Sequence, residues 1–354
     1  MTSLLTPARV AAAIPVESRG PLSELLAQLL AQSPREATVD GLSEAVEDAL
    51  GSSDLINDDD VQLSLFLLYS VVYGSLPQTH AEWEWHPGVL AARSRLEQAF
   101  EQQLRAMVDV GELPEPTQDA VARHLFALTA PTSGPSVSRF VAKKATREQL
   151  DEFLINRSIY TLREADPHSW AIPRLTGRAK AALVEIQSDE YGAGDPARVH
   201  SAIFAQTMRG AGLDDTYGAY IDLVPAITLA VHNMMSMFGV HRRLRGAIVG
   251  HLAAFEMTSS LPNRSYGDGF RRLGFGPDVT WYFDEHVEAD AVHEQIAARD
   301  LAGSLAEDEP ELLEDIMFGA AAGLAMDDLA GTHVLDAWSN DRSALRGSLA
   351  STLR

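Results

Sequence analysis

The spacing of apolar residues is the feature that most restricts how this chain of 354 residues can fold. Long stretches repeat with the period of about 3.6 residues that marks one face of an α-helix, whereas the alternation typical of half-buried strands is scarce. The chain is therefore predicted to be all-α. The segment Pro131-Thr132-Ser133-Gly134-Pro135-Ser136 interrupts this pattern most sharply and predicts a linker. It separates an N-terminal helical region, residues 1–135, from a C-terminal region, residues 136–354.

The C-terminal region shows a series of helical patterns with one long interruption. Helices are predicted at about 146–163, 175–190, 197–211, 214–238, 242–260, 278–301 and 310–337. The stretch between Leu261 and Asp278 contains Gly, Pro and Arg and is predicted to be a loop. A loop of that length in a compact domain often forms a lid or one wall of a site.

The composition excludes several classes of function. A net charge of −22 argues against nonspecific nucleic-acid binding and against attraction to an anionic membrane surface. The chain has no cysteine, which excludes disulfides, iron–sulfur clusters, thiolate zinc sites and cysteine nucleophiles together. Residues 1–20 show no basic segment followed by a long apolar run, so no signal peptide is expected. We expect a reduced, cytoplasmic setting.

Three potential metal ligands lie close together in the sequence near residue 290. His286, Asp290 and His293 are spaced i, i+4 and i+7, so on a helix their side chains lie on one face within an arc of roughly 60°. Two imidazoles and one carboxylate are a ligand set that non-haem iron and related divalent metals favour. The alternative is a solvated helix face that happens to carry two histidines.

One helix cannot fill the coordination sphere of a metal, so further ligands are expected on neighbouring helices. Glu256 lies among apolar and small residues, where an unpartnered carboxylate would cost several kcal/mol or would be forced to hold a proton. Glu190 ends one predicted helix and His200 begins the next, so the turn between them could bring both to one point. Glu185, on the same helix as Glu190, is kept in reserve.

Other motifs narrow the class of site. The chain has no Glu-x-x-His, which counts against a ferritin-type site, and no His-Glu-x-x-His, which counts against a zincin-type protease.

The arginines at 242, 243, 245, 264, 271 and 272 form a basic island. They could bind an anionic substrate, but ion pairs with the acidic excess are the favoured interpretation. For Tyr191, Tyr266, Trp281 and Phe283, core packing is favoured over lining a substrate pocket.

At these residues the chain resembles the haem-oxygenase-like diiron oxidases and oxygenases, in particular the iron-containing redox enzyme family. The resemblance covers about residues 140–354. It rests on Glu185-Ile186-Gln187-x-Asp189-Glu190-Tyr191-Gly192 with His200, on Gly250-His251-Leu252-x-x-Phe255-Glu256, and on His286-x-x-x-Asp290-x-x-His293. It implies a haem-oxygenase-like helical bundle that binds two Fe(II) ions.

The resemblance also implies a set of ligands and a reaction class. The metal ligands would be Glu190 (or Glu185), His200, Glu256, His286, Asp290 and His293. The protein would be a non-haem diiron oxidoreductase that uses O2 as co-substrate to oxidise a small organic molecule, in keeping with specialised metabolism. The fold alone does not name the reaction. A non-catalytic metal-binding or ferroxidase-like protein is the main alternative, and a helical interaction module without a working site is another. The N-terminal region would pack on this domain or form a homodimer.

Overall fold

The computed structural model describes residues 16–347 except Pro77 and Thr132, and it describes no side chains for residues 288–291. The described part of the chain contains helices and no β-strand, which confirms the all-α prediction. None of its helices is both long and apolar enough to cross a membrane. The chain divides into two compact units, Met1–Glu101 and Gln102–Arg354. The division lies inside a helix, and the packing or dimerisation role expected for residues 1–135 stays a prediction.

The first unit is organised around one helix whose central part is fully buried. Its helices are α1 (Pro21–Leu30), α2 (Leu42–Ala49), α3 (Asp59–Tyr73) and the first part of α4 (Pro87–Met107). Every residue of α3 from 61 to 71 is buried. The Asp58 carboxylate accepts from Val61 N at 2.9 Å and caps α3, while Asp60 accepts from Leu22 N and Ser23 N at the start of α1. The acidic run therefore caps two helix N-termini.

The second unit carries the remaining helices. They are α5 (Gln118–Leu128), α6 (Val137–Lys143), α7 (Arg147–Thr161), α8 (Asp166–Ser169), α9 (Gly177–Glu190), α10 (His200–Ala211), α11 (Ala226–Val240), α12 (Arg245–Arg272), α13 (Pro277–Gln295), α14 (Ser304–Asp308) and α15 (Leu313–Ser339). A π-helical segment, Ile296–Gly303, continues α13. π-Helical turns are rare and often lie near functional sites.

Helix α12 is the central element of this unit and packs on α6, α13 and α15. It meets α15 where both helices have glycine: a Cβ on Gly250 would overlap the Ile316 carbonyl oxygen, and a Cβ on Gly319 would overlap that of Ala247. These glycines allow the two backbones to approach more closely than larger residues would. A short turn after α12 leads into α13, so these two helices form a hairpin that holds several of the predicted ligands.

The prediction of a loop between Leu261 and Asp278 was wrong. Helix α12 continues to Arg272 with Pro262 inside it, although proline removes one helical hydrogen bond and normally bends or ends a helix. Downstream of the proline, Gly267, Gly269 and Phe270 are buried, and Gly269 lies against the backbone of Val141. Burial of this second half against α6 outweighs the local preference for a break.

Another boundary also differs from the prediction. The helix expected over 214–238 begins only at Ala226, directly after Pro225. The preceding residues form turns in which Tyr220 and Ile221 are buried. Their apolar side chains imitate a helical pattern although they pack from a non-helical backbone.

Candidate metal centre

Four buried side chains from different parts of the second unit meet at one point. They are Glu164, in the turn between α7 and α8, Glu190 at the end of α9, His200 at the start of α10, and His286 on α13; each offers a ligand atom within 4.8 Å of the others. His200 Nδ1 lies 3.0 Å from Glu190 Oε2, and His286 Nε2 lies 3.5 Å from Glu164 Oε1. These four residues are called the first group below.

A second group shares one residue with the first. It consists of Glu190, Glu256 on α12 and His293 on α13, all buried, and their ligand atoms again lie within 4.8 Å of one another. His293 Nδ1 lies 3.4 Å from Glu256 Oε2. Glu190 belongs to both groups, so its carboxylate links them.

The turn between α9 and α10 brings Glu190 and His200 together. Gly192 has φ +71°, a left-handed conformation that costs glycine little. A Cβ at Gly192 would also lie 2.7 Å from the Arg198 carbonyl carbon and from Val199 N. The sharp reversal at this position allows the end of α9 and the start of α10 to point to the same site.

Hydrogen bonds fix which nitrogen each α13 histidine presents. His286 Nδ1 lies 2.7 Å from the Tyr282 carbonyl oxygen and donates to it, which leaves Nε2 facing Glu164. His293 Nε2 lies 3.0 Å from Asp189 Oδ2, which leaves Nδ1 facing Glu256. Partners of this kind set the tautomer and ring orientation of metal-binding histidines.

A further hydrogen bond orients Glu164. The Tyr282 hydroxyl lies 2.8 Å from both carboxylate oxygens of Glu164 and donates to that carboxylate. Burial is the main reason why the pKa of Tyr282 lies well above its usual value, and the negative charge of Glu164 adds to the effect. Tyr282 therefore stays protonated and remains a donor.

The charges in the cluster compensate one another. Burial raises the pKa of Glu190, but the neighbouring histidines lower it by more, so the net shift of this pKa is downward. Burial lowers the pKa of His200, but the negative charge of Glu190 raises it by more, so the net shift of this pKa is upward. Burial also opposes protonation of His293, yet Glu256 and Asp189 raise its pKa to about 9. Without a metal, a proton on His293 therefore balances part of the buried negative charge near pH 7.

The contact geometry suits a metal ion better than direct hydrogen bonds. His200 Nδ1 and His293 Nδ1 are buried with no hydrogen-bond partner among the described residues, although each lies near a carboxylate oxygen. The distances suggest pairing, but the angles do not, and the angles decide whether a hydrogen bond forms. Two donors that bind one ion at about 2.1 Å in adjacent positions lie about 3 Å apart. The observed separations of 3.0 and 3.4 Å fit that arrangement.

The structure brings together most of the residues that the sequence indicated. Glu190, His200, Glu256, His286 and His293 lie in the two groups. The side chain of Asp290 lies outside the described residues. Glu185 is exposed on α9 and belongs to neither group.

Glu164 was missed by the sequence interpretation. It belongs to no recognisable motif, and it follows the end of α7 in a turn. The available signal was its position eleven residues after Phe153, because Phe153, Arg157, Tyr160 and Glu164 follow the i, i+4, i+7, i+11 spacing of one helix face. That pattern is common in cores and did not single out a ligand.

Another histidine near the centre lies in the core and belongs to neither group. His251, on α12 before Glu256, is buried, and its Nδ1 lies 3.1 Å from His168 Nε2. Burial lowers the pKa of His251 to about 4, so it is neutral near pH 7. His251 is therefore a hydrogen-bonded core histidine.

Comparison with known proteins identifies the family. Residues 151–328, about half of the chain, match the family described as iron-containing redox enzymes. A nitrosourea synthase from Streptomyces achromogenes subsp. streptozoticus is 27% identical over 173 residues, which cover 48% of this chain and 36% of that protein. The chain therefore spans only about a third of the length of that relative. The matched region contains both groups of candidate metal ligands, and the chain belongs to the iron-containing redox enzyme family.

Proposed function

We propose that the protein is a non-haem diiron oxidoreductase that uses O2 to oxidise a small organic substrate. The observation that carries this proposal is the buried pair of ligand groups that share Glu190. Mixed histidine and carboxylate sites of this kind favour iron over metals that prefer sulfur or oxygen alone. Two bound iron ions would supply the one-electron and O2 chemistry that amino-acid side chains lack.

In this proposal the ligands divide along the two groups. Glu164, His200 and His286 would hold one ion, Glu256 and His293 would hold the other, and Glu190 would be shared by both. Asp290 remains a proposed ligand from its position on α13, three residues before His293. Glu190 is preferred to Glu185 because it is buried beside His200, whereas Glu185 is exposed.

The surrounding residues hold the ligands in place and limit access of water. Ala253 and Ala254 are buried on α12 next to Glu256, and the Tyr160 ring packs edge-on against Phe255 at 5.5 Å. Burial raises the pKa of Tyr160 well above its usual value, and the nearby Glu164, Glu190 and Glu256 raise it further. Its phenol therefore keeps its proton beside the cluster. A dry site of this kind strengthens electrostatic interactions inside it.

The family relationship supports iron and redox chemistry but does not supply the substrate. The nitrosourea synthase is named for its product, but the match covers 36% of that protein, and we do not extend nitrosourea formation to this chain. The proposal is limited to O2-dependent oxidation of a small organic molecule.

Iron loading followed by rapid mixing with O2 tests the proposal. The protein is loaded anaerobically with Fe(II), and bound iron is counted per chain before stopped-flow absorption is recorded after O2 addition. We expect two irons per chain and an O2-dependent absorption change, both reduced in the Glu190→Gln variant and retained in the Glu185→Gln control. Absence of bound iron, or of any O2-dependent change, would overturn the proposal. Oxidation of free Fe(II) in multiple turnovers with storage of Fe(III) would instead support the ferroxidase alternative.

A further inference from the structure

Arg157 lies on the face of α7 that leads to the candidate metal centre. Phe153, Arg157 and Tyr160 share one face of this helix, and Glu164 of the first group follows in the next turn. Arg157 is half-buried. Its charge also reaches the cluster, because it lowers the pKa of Tyr282, whose hydroxyl donates to Glu164.

The guanidinium of Arg157 lies against two adjacent aromatic rings, whose centres are 4.5 Å apart, and not against a carboxylate. Its Cζ lies 5.3 Å from the centre of the Phe153 ring and 5.2 Å from that of Tyr266. Its Nε is buried with no hydrogen-bond partner among the described residues. Since a buried donor without a partner costs roughly 1–3 kcal/mol, this arrangement indicates a group that is satisfied by something other than the described chain.

Other arginines of the same unit show the contrast. Arg105 also stacks on an aromatic ring, 4.1 Å from the centre of Phe318, but it pairs with Asp315 at 2.8 Å. Within the basic island, Arg245 pairs with Glu309 and Arg271 pairs with Asp284. These pairs confirm the ion-pair interpretation for those two arginines. Among the described residues, Arg157 has ring contacts and no such carboxylate within ion-pair distance.

Part of the Arg157 side chain reaches the surface. Residues 257–262 of α12 are half-buried or exposed, and Asp327 on α15 is exposed. Burial is nevertheless the leading cause that raises the pKa of Asp327, and the charge of Arg157 acts in the opposite direction. Arg157 and Asp327 therefore lie within electrostatic reach of each other, and both side chains are partly accessible.

We propose that Arg157 binds the carboxylate of an anionic substrate and places that substrate beside the metal centre. This inference rests on the proposed function, and it names the substrate class for that site. The planar guanidinium can donate two parallel hydrogen bonds to a carboxylate. The Phe153 and Tyr266 rings restrict its rotation, so little side-chain entropy is lost when the anion binds.

The surroundings favour a singly charged anion. Asp327 and the carboxylates of the metal centre would repel a dianion such as a phosphate monoester. The aromatic rings of Phe153 and Tyr266 offer apolar surface to a short hydrocarbon chain next to the carboxylate. A small monocarboxylate therefore suits the surroundings of Arg157 better than a phosphorylated compound.

Fluorine NMR tests the carboxylate site independently of the reaction. Trifluorobutyrate is the probe, and neutral trifluorobutanamide is the matched control ligand. Line broadening of each is measured with metal-free protein and again after anaerobic Fe(II) loading. The variants are Arg157→Gln, which removes the charge, and Arg157→Lys, which keeps the charge but loses the forked donors. Arg105→Gln is the control, since it removes a stacked arginine that already has a carboxylate partner.

The expected result is that metal-free wild type and the Arg105→Gln control broaden the carboxylate signal and not the amide signal. Arg157→Gln should weaken carboxylate binding by about tenfold or more, and Arg157→Lys should retain part of it. Thermal unfolding shows whether each variant is folded. If Arg157→Gln is not folded, carboxylate binding is compared between wild type and Arg157→Lys. Equal carboxylate binding by wild type and the folded Arg157 variants, or equal broadening of the amide, would overturn the inference.

The same experiment separates this inference from the proposed function. If Arg157→Gln loses the carboxylate but binds two irons as wild type does, Arg157 acts on the substrate. If it loses iron with unchanged carboxylate binding, Arg157 balances the charge of the cluster and the inference is wrong. If wild type binds the carboxylate in an Arg157-dependent way but binds no iron, the anion site stands and the diiron proposal fails.

Discussion

Asp189 gives the most direct test of how the second group holds its metal. Its Oδ2 lies 3.0 Å from His293 Nε2, and this contact leaves Nδ1 directed at Glu256. Loss of such a partner typically weakens metal binding by about 10–100-fold, or about 1.4–2.8 kcal/mol. The Asp189 side chain is 55% exposed, so water screens its charge, and an asparagine would still offer an acceptor oxygen. For Asp189→Asn we therefore expect the lower limit, an affinity loss of about tenfold.

The loss should be confined to one of two metal positions. Anaerobic Fe(II) titration against a competing coloured chelator would give one ion bound as in wild type and one bound about tenfold more weakly. Glu185→Gln is the matched control, because it removes one negative charge from an exposed position on the same helix. Unchanged binding of both ions in Asp189→Asn, or an equal loss at both positions, would refute the idea that this hydrogen bond orients His293.

Other perturbations give separate tests. Glu190→Ala should lower occupancy at both positions, since its carboxylate belongs to both groups; loss of a single iron would contradict a bridging role. Tyr282→Phe removes a donor 2.8 Å from Glu164 and should weaken only the ion of the first group, by about tenfold, as a chelator titration would show. His293 must lose its proton to bind metal, and its pKa in the metal-free protein is raised to about 9, so anaerobic Fe(II) affinity should increase from about pH 6.5 to 9; a flat profile would contradict this. The same raised pKa stabilises the metal-free fold fully below about pH 6.5, and this contribution should be lost as the pH rises through 9. Gly250→Ala should destabilise the second unit by about 1–3 kcal/mol in urea unfolding, because its Cβ would overlap the carbonyl of Ile316.

The helical class and most of the helices followed from the sequence because local periodicity reports which face of a segment is buried. The same periodicity was misleading where packing outweighs local preference. Pro262 predicted the end of α12, yet the helix continues because Gly267, Gly269 and Phe270 are buried beyond it. Conversely, the buried side chains of Tyr220 and Ile221 predicted helix in a segment of turns.

The choice between two glutamates shows the limit of sequence alone. Glu185 and Glu190 lie on one helix and differ by about 140° around its axis. Either could face the centre until the neighbours of α9 fix its rotation. In the structure Glu190 is buried beside His200, and Glu185 is exposed.

The sequence by itself determined that the chain is helical, and that His286, Asp290 and His293 share one helix face, because both depend only on spacing along the chain. It also indicated Glu256, since a carboxylate in an apolar segment needs a partner. Only the tertiary structure decided that Glu164 joins this centre and that Glu190 lies between two groups. Only it decided that the Arg157 guanidinium lies against two adjacent aromatic rings. These features depend on which helices meet and at what rotation, and that is set by packing between residues that are far apart in the chain.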